Sequence, residues 1–126
     1  MTHFAFEVPG RPVTWKRTAT VTGSRGQVQR ATPKAMREAK AAVQWRCLHA
    51  RPDGWPLDAR YAVTVHVHLR NHSAEGDVDR YANLVLDAIQ GGAYANDRQV
   101  DDLHVSKRFG DGLPRTVVNV TVLEGE

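Results

Sequence analysis

The sequence has almost no cysteine and no long hydrophobic run, and both absences exclude whole classes of protein. Cys47 is the only cysteine among 126 residues, so no internal disulfide can form, and a reducing cytoplasm is the expected location. No apolar run is long enough to span a bilayer. The first ten residues lack the charged and apolar regions of a signal peptide. We therefore expect one small domain over residues 1–126, with no membrane segment.

Several common catalytic motifs are absent as well. The sequence contains no glycine-rich phosphate-binding loop, no GxSxG nucleophile motif and no CxxC pair for zinc. Cys47 lies in a helical pattern, where a small buried hydrophobic residue is a better interpretation than a nucleophile. His66 and His68 share one face of a predicted strand, but without a third ligand nearby a structural pair is preferred over a metal site.

Formal charge is distributed unevenly along the chain. Residues 1–60 contain 11 Lys and Arg against 4 Asp and Glu, whereas residues 61–126 contain 6 against 10. A basic half beside an acidic half favours a polyanionic partner such as nucleic acid, and the alternative is a dipolar surface without a ligand. The candidate contacts to DNA phosphates are Arg11, Lys16, Arg17, Arg25, Arg30, Lys34 and Arg37.

Hydrophobic periodicity predicts a sheet with two helices. Strand-like alternation occurs in residues 3–8, 60–70, 101–109 and 114–123, the last two joined as a hairpin by a GDGLP turn. Helices are predicted from Thr32-Pro33 to about residue 50 and from about Asp79 to Gln90. The polar segment before the first helix is predicted to be a basic loop or an irregular hairpin. The order of these strands and helices along the chain indicates an α/β (α+β) domain with two main helices on a mixed four-stranded sheet.

The segment GDVDRYAN contains the first candidate for a site. Asp77 and Asp79 stand one residue apart at the start of the second helix, where like charges repel unless a cation lies between them. On a helical wheel, Asp79, Asn83 and Asp87 share one polar face. A capping role explains Asp79 alone but leaves Asp77 unexplained. Asp87 by itself is expected to pair with Arg80 or to face solvent.

A second acidic segment, NDRQVDD, lies between the second helix and the next strand. If that strand runs beside the 60–70 strand, Asp97 approaches Asp77 and Asp79. Carboxylate oxygens from separate elements suit a hard cation such as Mg²⁺ or Mn²⁺. Such a cation lowers the pKa of a bound water and acts as a Lewis acid on a phosphodiester. Together with the basic half, the three aspartates predict a metal-dependent nuclease.

Several short blocks of the sequence occur in the order found in a known family. They are Gly76-Asp77-Val78-Asp79, Leu86-Asp87-Ala88-Ile89, Asn96-Asp97-Arg98-Gln99-Val100 and Lys107, with VPGRPV and the Thr32-Pro33 helix start before them. In these blocks the chain resembles the RusA-type Holliday junction resolvases. The resemblance implies a RusA-like fold and a homodimeric endonuclease. Such an enzyme binds four-way DNA junctions and nicks two strands symmetrically with Mg²⁺, in DNA recombination and repair.

The resemblance also implies a role for individual residues. Asp77, Asp79 and Asp97 match the family's metal-binding aspartates, which hold Mg²⁺ and activate water. Asp87 matches a recurrent aspartate that is expected to contact the metal ligands and not the metal itself. Lys107 matches a lysine on the following strand, where a phosphate contact is expected.

The chain departs from the family pattern at two positions. Where the family has an asparagine and then, one helical turn along, a lysine, this chain has Arg80 and Asn83. The lysine is expected to stabilise charge at the phosphate or to orient the water. This departure leaves three alternatives. Arg80 or Lys107 substitutes for the lysine, the enzyme is slow, or the chain binds junctions without cutting them. An RNA-binding or general nuclease module is a further alternative.

Overall fold

The computed structural model describes residues 2–15, 19–22, 28–31, 34–72 and 75–123. Its elements are β1 His3–Pro9, β2 Ala19–Thr22, β3 Val28–Ala31, α1 Lys34–Ala50, β4 Arg60–Leu69, α2 Val78–Ala88, β5 Val100–Phe109 and β6 Arg115–Leu123. A 3₁₀ turn over Asp97–Gln99 precedes β5. Four strands form one sheet in the order β1-β6-β4-β5, and β2 pairs with β3 as a separate antiparallel hairpin. The predicted α+β class with two helices and a mixed four-stranded sheet is confirmed.

Strand β4 lies in the middle of the sheet and supplies much of the core. Its alternating pattern places one set of side chains against the helices, each at most 2% exposed: Tyr61, Val63, Val65, Val67 and Leu69. Burying a large apolar side chain stabilises the fold by about 1.5–3 kcal/mol. This inward face is the one that the sequence predicts.

The predicted hairpin between the last two strands is wrong. Strand β5 pairs in parallel with β4, and β6 pairs antiparallel with β4 and with β1, so β4 lies between β5 and β6. The connecting loop crosses the end of β4, where the Gly110 N–H donates to Leu69 O at 3.1 Å. Gly110 and Gly112 have positive φ angles of 71° and 115°, which glycine adopts without strain.

Both helices pack on the same face of the sheet. Helix α1 buries Met36, Val43 and Cys47 and lies against β1, while α2 lies against β4 and β5. Burial raises the pKa of the Cys47 thiol to about 11, as expected for a structural cysteine rather than a nucleophile. The predicted helix start at Thr32-Pro33 lies outside the described residues. None of the described helices combines the length and the apolarity that crossing a membrane requires.

Candidate metal and DNA-binding site

Asp77 begins α2, but its side chain takes no part in capping the helix. The residue is the N-cap, and its carbonyl oxygen accepts the Arg80 N–H at 3.1 Å, whereas its carboxylate makes no capping hydrogen bond. The carboxylate is 76% exposed, and Oδ2 lies 3.6 Å from Arg80 Nε. Asp77, and not Asp79, therefore holds the cap position, and its oxygens face solvent beside a guanidinium.

Asp79 and Asn83 lie one turn apart on the polar face of α2. Both side chains are exposed, and the opposite face of the helix buries Tyr81, Leu84 and Val85. Within the described residues, the Asp79 carboxylate forms no hydrogen bond or ion pair. Its oxygens are therefore accessible to a ligand from solvent.

Asp97 lies at the start of the 3₁₀ turn, which positions it against α2. Asn96 caps this turn by accepting the Arg98 N–H at 3.0 Å, and the Asp97 N–H donates to Gln90 Oε1 at 3.0 Å. Asp97 lines a cavity of about 220 Å³ together with side chains from α2 and the chain after β1: Trp15, Asn83, Leu86 and Asp87. The backbone N–H of Trp15 donates to Arg80 O at 2.9 Å, which holds that chain segment on α2.

The structure brings Asp97 to the polar face of α2, because β5 runs beside β4 as the site prediction requires. Asp97, Asn83 and Asp87 line one cavity, and Asn83 lies four residues, about 6 Å along the helix axis, from Asp79. In the described part of the chain, no three His, Cys, Asp or Glu side chains are grouped closely enough to hold a metal ion. The exposed carboxylates fit Mg²⁺ in donor type and access. Asp97 has to approach the start of α2 for all three to bind one ion.

Asp87 has a partner that the sequence does not indicate. Its carboxylate forms an ion pair with the Lys40 ammonium of α1, and Arg80 is paired with Asp77 instead. The two side chains of the pair are 34% and 45% exposed, so the pair lies at the edge of the helix–helix contact. Asp87 therefore links the cavity around Asp97 to the basic side of α1.

Lys107 lies on β5 and faces the segment that leads into α2. Its ammonium donates to Glu75 Oε2 at 2.6 Å and to Gly76 O at 3.2 Å. Hydrogen bonds from Lys107 and then from His72 lower the pKa of Glu75 below its ordinary value. Gly76 is closely packed here, because a Cβ at this position would lie 2.5 Å from Thr14 Cγ2. Lys107 thus holds the backbone directly before Asp77.

The proposed phosphate contacts are described only in part. Arg11 is exposed and lines a cavity with Gly76 and Tyr81, beside the start of α2. Lys34 is highly exposed and lies 3.7 Å from Glu38, and Arg37 lines a groove on α1. Arg30 belongs to β3, of which only the backbone is described. Lys16, Arg17 and Arg25 lie outside the described residues.

His66 and His68 lie on the face of the sheet that points away from the helices. His66 Nδ1 is 2.6 Å from Ser106 Oγ, and His68 Nδ1 is 2.9 Å from both carboxylate oxygens of Asp111. Burial, followed by the charge of Arg108, lowers the pKa of His66. These separate hydrogen bonds agree with the structural interpretation of the pair.

Sequence reasoning did not include four residues that contact the candidate site: Trp15, Lys40, Glu75 and Gln90. Glu75 directly precedes Gly76 and the two aspartates, so its position in the sequence could have identified it as a neighbour of the site. Trp15 is the one large aromatic residue of the polar segment that follows β1. Lys40 and Gln90 show no local signal, because their contacts depend on how α1 and the 3₁₀ turn pack against α2.

The sequence matches a known protein family over most of its length. A family model described as endodeoxyribonuclease RusA matches residues 9–121, a range that contains all three aspartates, both helices and Lys107. No curated protein sequence matches the chain. The family consists of endodeoxyribonucleases, and membership implies action on Holliday junctions. Because the match covers nearly the whole sequence, the chain belongs to the RusA endodeoxyribonuclease family.

Proposed function

We propose that this protein is a Mg²⁺-dependent endonuclease that resolves Holliday junctions by paired symmetric nicks, in DNA recombination and repair. One observation carries the proposal. Asp97 lines a cavity with the polar face of α2, the helix that begins with Asp77 and Asp79, in a chain of the RusA family. The order of these carboxylates along the sequence supports a shared role, which requires Asp97 to move towards the start of α2.

The three aspartates are the residues that would hold the metal. Their oxygens are hard ligands, for which Mg²⁺ is the usual ion and Mn²⁺ a substitute. When bound, the metal supplies a water of lowered pKa and a Lewis acid at the phosphate. Asp77 supports this assignment because its exposed carboxylate is not used to cap the helix. Asp79 supports it because it has no partner among the described residues.

Three cations flank the start of α2 and are proposed to act on the DNA phosphates. Arg80 is half-exposed and close to Asp77, and Arg11 lines the adjacent cavity. Lys107 is 26% exposed and already bound to Glu75 and Gly76. Its first role is therefore to position the segment before Asp77. Arg80 is the better candidate for the charge that lysine supplies in the family pattern.

A homodimer fits the proposed reaction. One site cuts one strand, so paired nicks at a four-way junction need two sites related by a two-fold axis. Lys34 and Arg37 of α1 and the basic residues of the segment before it would then contact phosphates of the junction arms. Such contacts give affinity and a steep dependence on salt, but little sequence selectivity.

A nicking assay on synthetic four-way junctions tests the proposal. Wild-type protein should cut with Mg²⁺ or Mn²⁺ and not with EDTA. Asp79→Asn should cut at least about 100-fold more slowly, since loss of a metal ligand removes several kcal/mol of transition-state stabilisation. It should still bind the junction. Asp102→Asn, which removes an exposed carboxylate on the outer face of β5, is the matched control. Equal cutting by Asp79→Asn and wild type would contradict the assignment.

A second candidate function is junction binding with little or no cleavage. The observation that favours it is Asn83, an uncharged side chain in the cavity that contains Asp97. Tight binding of junctions without cleavage in Mg²⁺ or Mn²⁺ would support this alternative. Competition among four-way junctions, duplex DNA, single strands and RNA would distinguish either function from that of a general nucleic-acid-binding module.

A further inference from the structure

A groove runs between α1 and the end of α2, next to the cavity that contains Asp97. Its volume is about 520 Å³. The α1 side presents Arg37, Lys40 and Gln44, which recur every three or four residues and therefore lie on one face of the helix. The α2 side presents Asp87 and Gln90. Ala41 and Ala88 complete the lining, so the groove combines polar and small apolar side chains from two helices.

The groove carries net positive charge and an excess of hydrogen-bond donors. Two cationic side chains, Arg37 and Lys40, face one carboxylate, Asp87. Gln44 is exposed, and its amide makes no hydrogen bond within the described residues. Gln90 uses its Oε1 to accept the Asp97 N–H, which leaves its amide N–H groups as donors. A guanidinium, an ammonium and amide groups together suit an anion with several acceptor oxygens.

Two residues connect the groove to the proposed metal site. Asp87 lines both the groove and the cavity of Asp97. Gln90 holds the backbone of Asp97 at 3.0 Å while it lines the groove. An anion in the groove is therefore separated from Asp97 by single side chains.

A purely structural role explains these residues poorly. The Lys40–Asp87 pair is about one-third to one-half exposed, and ion pairs of that kind contribute little to stability. Such a role would also leave the alignment of Gln44 with that pair unexplained.

We infer that this groove binds a phosphate of the DNA backbone, on the strand that is cut and beside the cleaved bond. The inference rests on the proposed function, because it takes the DNA to be held at the aspartates. The groove then fixes the position of the strand relative to Asp97. Lys40 acts as a positioning residue through Asp87, and Arg37 and Gln44 contact the phosphate.

Charge changes on α1 provide the first test. Arg37→Gln and Gln44→Glu should each weaken junction binding about tenfold at moderate salt. Arg37→Gln should also reduce the slope of log K against log salt by about one. Arg46→Gln and Ala42→Glu make the same charge changes at exposed positions of α1 outside the groove, and they should bind like wild type. Thermal unfolding of all four variants verifies that the fold is intact.

Neutral phosphates in the DNA provide the second test. Single methylphosphonates are placed along the cut strand on each side of the nick. One position next to the scissile phosphate should weaken wild-type binding and leave Arg37→Gln binding unchanged, because the variant has already lost that contact.

The outcomes separate the two proposals. Suppose that wild type binds and cuts junctions, that Arg37→Gln binds them as tightly as Arg46→Gln does, and that every methylphosphonate weakens binding by wild type and by Arg37→Gln equally. The groove inference is then overturned and the proposed function stands. If wild type neither binds nor cuts junctions, the proposed function fails and the groove inference fails with it.

Discussion

The ammonium group of Lys107 donates a hydrogen bond to the carbonyl oxygen of Gly76 across 3.2 Å. Lys107 belongs to β5, and Gly76 is the residue before the N-cap of α2. This contact ties the sheet to the backbone that carries Asp77. The position of the first candidate metal ligand therefore depends on a strand that follows it by more than twenty residues.

Lys107→Met should lower the single-turnover nicking rate by about tenfold or more, because displacement of a catalytic group by 1 Å can cost about 100-fold in rate. Lys107→Arg should retain much of the activity, since a guanidinium can still donate to Glu75 and Gly76. The measurement is single-turnover nicking beside equilibrium binding of the junction. Weakened binding with an unchanged nicking rate would instead identify Lys107 as a phosphate contact.

Gly76→Ala should destabilise the fold by about 1–3 kcal/mol, because the added Cβ would lie 2.5 Å from Thr14 Cγ2. Thr14→Ser removes that methyl group, so the double variant should recover most of the loss. Urea unfolding of the wild type, both single variants and the double variant measures the coupling. Additive losses would show that the Thr14 contact is not the cause.

Asn83→Lys should raise the nicking rate, because it restores the ammonium group that the family pattern has at this position. In the cavity that Asn83 shares with Asp87 and Asp97, this group can stabilise the charge that develops on the phosphate. Asn83→Gln extends the same exposed side chain without charge and serves as the control. The two variants are compared in Mg²⁺ with junction substrates. Equal rates for both variants and wild type would mean that another cation, such as Arg80, already supplies the charge.

Asp111→Asn should destabilise the fold above about pH 4 and have little effect at lower pH. The hydrogen bond from His68 is the main cause that lowers the pKa of Asp111 below its ordinary value of 3.8. A carboxyl whose pKa is lower in the folded state stabilises the fold above the unfolded-state pKa, and this stabilisation is lost as pH falls through the folded-state pKa. Thermal unfolding of both proteins from pH 3 to 7 measures the difference. A difference that grew at low pH would contradict this assignment.

The sequence was sufficient to predict features that depend on local periodicity. The alternation in residues 60–70 identifies β4 and its buried face, because successive side chains of a strand point to opposite sides. The same reasoning gives both helices and the polar face with Asp79, Asn83 and Asp87. It also locates the carboxylate pair at the start of α2, where like charges one residue apart repel unless a cation lies between them.

Only the tertiary structure decided which elements meet. The GDGLP segment has the composition of a hairpin turn, but the same glycines allow a loop to cross the end of β4, and the local pattern does not distinguish the two. The contacts of Lys40 with Asp87 and of Lys107 with Gly76 join residues that are 47 and 31 positions apart. Such contacts depend on helix packing and strand order, and sequence spacing carries no record of either. The sequence thus determined the kind of chemistry, and the tertiary structure determined which charges lie beside it.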